Sequence, residues 1–451
     1  MQLLLWIEPI YIRDSRVTYA WVAARFAAAL IELQREAPET ARHVRMFCNR
    51  ATAEQIRSEA GAALPDFILP TAEEEAQLEG AFRPWQAEGQ ARWIRHMEGE
   101  EAYSNGYRAM LERVYREFRF DAILHWGTNR ILRSFAEAHG IVPLFAELGP
   151  VRAPFVQTGV IDTFGVNGDS CIATGDQRVM DALGHDRWAR PRPATERRAV
   201  HHAPFRTVSG PRHSNGQRYI LVPLQTADDA NVLVHHAGKD YAHEIATAVT
   251  QITARGWRCL VKTHPASQAS EYTRLAEADL LNALAPRAGV ELLMEQLDPA
   301  GYVDLLAQAS GVVTFNSSVG CEASMLGTPV HVIAKACYAP PGRFAGMNEL
   351  LDGITPGESW LARMVDVHEL VLNRYLMPLD DVFDPRRVLA AAQFWRDLRL
   401  QVQACGPAAW YRRWTAAWSN LAGSGPDGPL GLDLSRVLPE HSAEASLGDR
   451  P

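Results

Sequence analysis

Short apolar runs alternate with amphipathic stretches along most of the chain. In the first half, Leu3–Ile7 reads as a strand and Val17–Leu33 as a helix with apolar residues at helical spacing. Val44–Cys48 is a second strand, a helical stretch begins at Ala53, and Phe67–Leu69 is short and apolar. Residues 72–118 are charged and helix-prone, with aromatics at Phe82, Trp85, Trp93, Tyr103 and Tyr107. Asp121–Trp126 and Val142–Ala146 are two further strands. The alternation then restarts with strand Tyr219–Leu224, helix Tyr241–Arg255 closed by Gly256, strand Arg258–Lys262 and a helix from about Ser270. Strand Val290–Met294, helix Tyr302–Ala309, strand Val312–Phe315, a helix from near Ser318 and strand Val330–Ala334 complete the series. Helices follow near 357–376 and 385–404. Buried strands separated by amphipathic helices predict mostly parallel sheets covered on both faces.

Two such series predict an α/β protein with two Rossmann-like domains, whose ligands bind beyond the carboxyl ends of the strands. The stretch 186–217 is rich in Pro, Arg and His and lacks periodicity, which marks it as the linker, and its charge is that of a solvated segment. The expected organisation is an N-terminal domain 1–185, linker 186–217, C-terminal domain 218–380, C-terminal helices 381–422 and a disordered tail 423–451. Trp410, Trp414 and Trp418 share one helical face beside Arg412 and Arg413. That face suits either a closing helix packed on the other domain or an interfacial membrane anchor.

Composition narrows the function classes. Of 451 residues, 47% are hydrophobic and 22% charged, as in a soluble globular protein with large cores. A net charge of -8 argues against general nucleic-acid binding, which needs a basic surface. Six cysteines without a C-x-x-C pair point to buried free thiols and a reducing, cytoplasmic setting. Met1–Ile7 lacks the basic start of a secretory signal and ends at Glu8-Pro9, so a first strand is the better reading. No apolar run approaches the roughly 20 residues of a spanning helix, which leaves room for a peripheral contact with the inner face of the cytoplasmic membrane.

Three segments carry candidate chemistry. Val261-Lys262-Thr263-His264-Pro265 ends a strand with a cation and an imidazole at the sheet edge, where they suit a phosphate or carboxylate. The run from Val312 to Val330 is a strand, a hydroxyl-rich turn at Asn316-Ser317-Ser318 and a helix start. Its Ser or Asn suits a helix cap, its backbone N–H groups an anion, and Glu322 a ribose or base. Gln225, Asp228 and Asp229 follow the first strand of the second series, and a carboxylate there suits a nucleophile, a general base or a helix cap. Chemistry alone does not separate Asp228 from Asp229.

Together these segments resemble the capsular polysaccharide biosynthesis proteins that include the retaining β-Kdo glycosyltransferases. The matches are Q-x-x-D-D-A at Gln225–Ala230, K-x-H-P at Lys262–Pro265, and the serine pair with G-x-E-A-x-x-x-G-x-P-V at Ser317–Val330. Phe145–Pro150 is similar to the family's E-x-G segment, and Asp162-x-x-Gly165-Val166-Asn167 also fits. The likeness spans about residues 140–335, whereas Ala336–Arg343 does not follow the family's tyrosine-containing loop.

The resemblance implies a GT-B-like fold, two Rossmann-like domains facing across a cleft with C-terminal closing helices. The N-terminal domain would take the acceptor and the C-terminal one a CMP-activated Kdo. It further implies that Gln225, Lys262, His264, Asn316, Ser317, Ser318 and Glu322 serve the donor. Asp229, favoured over Asp228 by the match, would be the nucleophile of a double displacement with Glu147 as acid/base. The acceptor would be a surface-polysaccharide or lipid-linked glycan. No D-x-D motif for a metal-bound sugar nucleotide is present, so neither metal nor cofactor is expected. The competing readings are a CMP-sialic acid transferase, a sugar-nucleotide epimerase and a non-catalytic polysaccharide-assembly protein.

Overall fold

A computed structural model describes residues 1–60, 67–175, 218–266 and 271–405. The linker 186–217, the tryptophan segment and the tail 423–451 lie outside the described residues. Two compact units divide the chain: Met1–Glu147 with Gly159–Val166 and Leu379–Gly406, and Leu148–Thr158 with Asn167–Pro378. The division therefore does not fall at 185. The chain passes between units at 147, 158, 166 and 378.

The first unit contains strands β1 (Leu3–Trp6), β2 (Val44–Phe47), β3 (Phe67–Ile68), β4 (Ala122–Trp126), β5 (Val142–Leu148) and β6 (Thr158–Asp162). They run side by side as β6-β5-β4-β1-β2-β3. Every residue of β1 and β4 is buried, which explains their apolar character, broken only by His125 on β4. Helix Ala20–Glu36 buries Ala23, Phe26, Ala27, Leu30 and Leu33 at helical spacing. The charged stretch after residue 72 forms helices Ala72–Gly80, Ala87–Met97 and Glu101–Glu117, and its aromatics Phe82, Trp85, Trp93 and Tyr107 belong to the core.

The C-terminal helices Leu379–Phe383 and Pro385–Cys405 also belong to this first unit. Phe383 carries much of that attachment. Its ring stacks on Trp126 at 5.5 Å, meets Phe26 edge-on at 4.9 Å and lies under the Arg25 guanidinium at 4.4 Å. Burying such a ring stabilises by about 2 kcal/mol or more.

The second unit contains β7 (Tyr219–Pro223), β8 (Arg258–Lys262), β9 (Val290–Leu293), β10 (Gly311–Thr314) and β11 (Val330–Val332). All pair in parallel, in the order β11-β10-β7-β8-β9. Both sheets thus have the strand order of a doubly wound fold. In each, the order reverses beside the first strand, between β1 and β4 and between β7 and β10. Helix Pro299–Gln308 begins three residues before the expected Tyr302, because Asp298 accepts the Gly301 N–H at 2.7 Å and Pro299 opens the first turn. Cys48, Cys171, Cys259, Cys321 and Cys337 are buried free thiols, and burial pushes Cys48 and Cys259 up to about 12. No helix among the described residues is long and apolar enough to cross a membrane.

Candidate functional site

The two reversal points differ in what fills them. In the first unit the chain plugs its own. Glu8, just past β1 and 3% exposed, accepts hydrogen bonds from Tyr107 Oη at 3.1 Å and Asn129 Nδ2 at 3.3 Å. Its carboxylate also meets Nε2 of His125 on β4 at 2.9 Å, and His125 Nδ1 faces the Gly127 carbonyl at 2.8 Å. Burial alone would raise the Glu8 carboxyl, but the bond to His125 and its charge hold it below the ordinary carboxylate value. The sequence carried no signal for this cluster, because Glu8 and His125 lie 117 positions apart.

In the second unit the corresponding edge is open. A cavity of about 380 Å³ lies beyond the carboxyl ends of the strands, a size ordinary for small-ligand sites. Pro223 and Leu224 reach it from β7, Lys262–Pro265 from β8, Ser317–Val319 and Glu322 from β10 and its helix, and Gln296–Pro299 and Tyr302 from beyond β9. Arg152, Ala153 and Pro154 complete the wall.

The expected residues divide into two groups. Lys262, His264, Ser317, Ser318 and Glu322 converge on this cavity. Gln225, Asn316, Asp228 and Asp229 do not line it, and Glu147 belongs to the first unit. Gln225 and Asn316 are occupied with each other. Gln225 Nε2 donates to Asn316 Oδ1 at 3.0 Å, the Asn316 N–H donates to Gln225 Oε1 at 3.2 Å, and Asn316 Nδ2 reaches the Asn231 carbonyl at 2.9 Å. Both are nearly fully buried, and these bonds bind the loops together. Asp229 caps the short helix Ala230–Leu233, accepting the Asn231 N–H at 2.7 Å. It still lies close enough to His264 for its charge to favour the imidazolium.

Lys262 is 8% exposed and donates to the Thr263 carbonyl at 3.2 Å. Burial holds its amine below the ordinary lysine value, against the pull of Glu277. Burial likewise lowers His264. Its Nδ1 accepts the Ala266 N–H at 3.1 Å, so the neutral ring carries its proton on Nε2 and is a donor there. The Glu277 carboxylate fixes the strand end by accepting the His264 N–H at 3.2 Å.

The serine turn departs from the expected open row of N–H groups. Those of Asn316, Ser317 and Val319 are satisfied by Gln225, Thr314 and the Ser317 hydroxyl. Ser318 makes no side-chain cap on helix Val319–Met325. Ser317 therefore tightens the turn while Ser318 offers its hydroxyl to the cavity. Close packing sets the turn's position. A Cβ on Gly320 would stand 2.3 Å from Tyr338 Oη, and that hydroxyl donates to the Ser317 carbonyl at 2.6 Å.

Glu322 is 2% exposed and has partners on both oxygens. Oε1 accepts the Arg152 N–H at 3.0 Å and Oε2 accepts Tyr302 Oη at 2.5 Å. Burial pushes its carboxyl up to about 7 despite these bonds. Arg152, Asp298 and Tyr302 escaped sequence reasoning. For Tyr302 the Asp298-Pro299 helix start was the available signal, whereas Arg152 meets Glu322 across 170 positions and left none.

A doubly wound unit takes its ligands beyond the carboxyl ends of its strands, and here that edge carries a cation, an imidazole and hydroxyls. Residues 189–345 match the family model described as "Capsule polysaccharide biosynthesis protein". The chain is similar to the capsule polysaccharide biosynthesis proteins over this segment, which holds Gln225–Ala230, Lys262–Pro265 and Ser317–Val330 but not Phe145–Pro150 or Asp162–Asn167. It is 24% identical to the capsule polysaccharide export protein KpsS of Escherichia coli over 282 residues, which are 51% of this chain and 70% of that protein. Among solved structures it is similar to the β-Kdo 2,7 transferase of Thermosulfurimonas dismutans KpsC, with 18% identity, TM-score 0.36 and coverage of 60% of this chain and 82% of the other. The UDP-GlcNAc 2-epimerase of Neisseria meningitidis shares 14% identity with a TM-score of 0.32, over 83% of this chain and all of the other (100%).

Proposed function

We propose that this chain is a glycosyltransferase of surface-polysaccharide synthesis that moves Kdo from CMP-Kdo to a glycan or glycolipid acceptor with retention of configuration. The convergence of Lys262, His264 and Ser318 on one cavity, within the family-matched segment, is the observation that carries this reading. An ammonium, an Nε2–H and a hydroxyl suit a phosphate that gains charge as the sugar departs. The absence of a D-x-D motif supports a transfer in which these side chains, without a metal, meet that charge.

In this mechanism the Asp229 carboxylate attacks the anomeric carbon as its bond to the phosphate oxygen breaks, and CMP leaves with the electron pair. The acceptor hydroxyl then displaces Asp229 from the opposite face, giving its proton to Glu147. Two displacements restore the starting configuration. Membrane-side work on a lipid-linked acceptor would be peripheral and cytoplasmic.

The test is incubation of the full chain with CMP-Kdo and candidate glycan acceptors, with CMP release followed and the product's anomeric proton read by NMR. Retained β-Kdo is the expected outcome, and Asp229→Asn should lower turnover by at least about 10³-fold while Asp228→Asn leaves most of it. Turnover with CMP-sialic acid alone would replace Kdo as the sugar. Unchanged transfer by Asp229→Asn would remove the nucleophile.

A further inference from the structure

We infer that Arg152 grips an oxyanion of the pocket's ligand through its guanidinium, and that Glu322 is the positioning residue that presents it. This rests on the reading of the cavity as the donor site, whose phosphate and sugar carboxylate are the two oxyanions on offer.

Arg152 is exposed on the cavity wall. Its only side-chain hydrogen bond among the described residues is from Nε to the Gly149 carbonyl at 3.1 Å, so both terminal nitrogens of the fork are free to bind. Its charge acts on His264 and on Tyr302, lowering both, which places it within electrostatic range of the groups it would work beside. Lys262 is a weakened partner for an anion, since burial disfavours its charge. An arginine stays charged at all accessible pH values and meets two oxygens at once.

The loop that carries Arg152 is built to stay in place. The Gly149 N–H donates to the Thr158 carbonyl at 2.8 Å, and Thr158 returns two bonds to Val151, from its N–H at 3.0 Å and its hydroxyl at 3.0 Å. Glu322 ties this loop to the helix after β10 by accepting the Arg152 backbone N–H. Tyr302 fixes the other carboxylate oxygen. Glu322 takes the backbone N–H of Arg152 and makes no hydrogen bond to its guanidinium, although the two charges feel each other. An exposed arginine on a mobile loop would lose most of its contribution to the entropy of ordering; this one is ordered beforehand.

The test is calorimetric titration of the full chain with cytidine, CMP and CMP-Kdo, together with NMR of the arginine Nε resonances during titration with CMP and with orthophosphate. Arg152→Ala should weaken CMP binding tenfold to a hundredfold, on the order of one charged hydrogen-bonded contact, and leave cytidine binding unchanged. Arg152→Lys should recover only part. If CMP binding holds and CMP-Kdo binding falls, the oxyanion is the sugar carboxylate, which also supports the inference. Glu322→Ala should reproduce the loss, and the double variant should lose no more than Arg152→Ala alone. Glu322→Gln keeps an oxygen for the Arg152 N–H and should restore binding, which controls for a variant that fails to fold. Equal affinities of wild type and Arg152→Ala for CMP and CMP-Kdo would overturn the inference and leave the donor reading standing. A wild-type chain that binds neither nucleotide would overturn the donor reading, and the response of Arg152 Nε to orthophosphate then decides the oxyanion contact by itself.

Discussion

Gln225 and Asn316 exchange two hydrogen bonds across the ends of β7 and β10, at 3.0 and 3.2 Å, and both side chains are almost fully buried. Removing the Gln225 side chain leaves Asn316 Oδ1 and the Asn316 backbone N–H without it, and removing the Asn316 side chain leaves Gln225 Nε2 without its acceptor. Gln225→Ala and Asn316→Ala are each expected to cost about 1–3 kcal/mol of stability, read from urea unfolding of the full chain. Their effects should be far from additive, since the second substitution finds the pair already broken. A ligand-binding role without a structural one would instead leave the unfolding midpoint in place.

Lys262 carries a charge that burial disfavours, so its amine titrates below the ordinary lysine value. Anion binding needs the protonated amine. CMP affinity should therefore fall as pH rises into the alkaline range, earlier than an ordinary lysine allows. Lys262→Gln should weaken binding at neutral pH and flatten that alkaline limb, as measured by titration calorimetry across the range. A wild-type affinity that stays flat to high pH would remove Lys262 from the anion contact.

Glu322 offers a stability test with a defined sign. Its folded carboxyl is pushed up to about 7 from an ordinary value of 4.5, so between those values the folded chain holds a proton that the unfolded chain has released. Stability from this group is fully present below the unfolded value and falls as pH rises through the folded one, by on the order of 3 kcal/mol. Glu322→Gln should remove this dependence and melt above the wild type at pH 8. Thermal melts from pH 5 to 8 check it, and parallel wild-type and variant curves would contradict it.

Gly320 lacks a side chain for a packing reason. A Cβ there would meet Tyr338 Oη at 2.3 Å and Thr314 Cγ2 at 2.9 Å. Gly320→Ala must displace Tyr338, which holds the Ser317 carbonyl. A loss of about 1–3 kcal/mol is expected, together with weaker CMP binding because the serine turn shifts. Tyr338→Phe should relieve part of the clash in the double variant, as followed by denaturant unfolding.

The strand ends show how far the sequence reached. Apolar runs such as Tyr219–Pro223 and Arg258–Lys262 are legible because buried parallel strands must be apolar on both faces. Their ends follow from where those runs stop, so Lys262, His264 and the serine turn could be assigned to one sheet edge before any coordinates. The cavity does gather them. The same reasoning did not foresee that Gln225 and Asn316 bond to each other. A polar side chain at a strand end looks alike whether it faces a ligand or a neighbouring loop, and only the fold brought these two within 3.0 Å of each other.

Local patterning thus determined two α/β series, their strand edges and the cationic and hydroxyl groups set there, because strand and helix periodicity act over a few residues. Tertiary structure decided what periodicity does not encode. It assigned Leu148–Thr158 to the second unit, returned Leu379–Phe383 to the first through Phe383, and closed the first reversal point with Glu8 and His125. It also set Arg152 on the cavity wall by a bond to Glu322. Each of these contacts joins residues more than a hundred positions apart in sequence, where burial and hydrogen-bond satisfaction in three dimensions, rather than neighbouring residues, choose the partner.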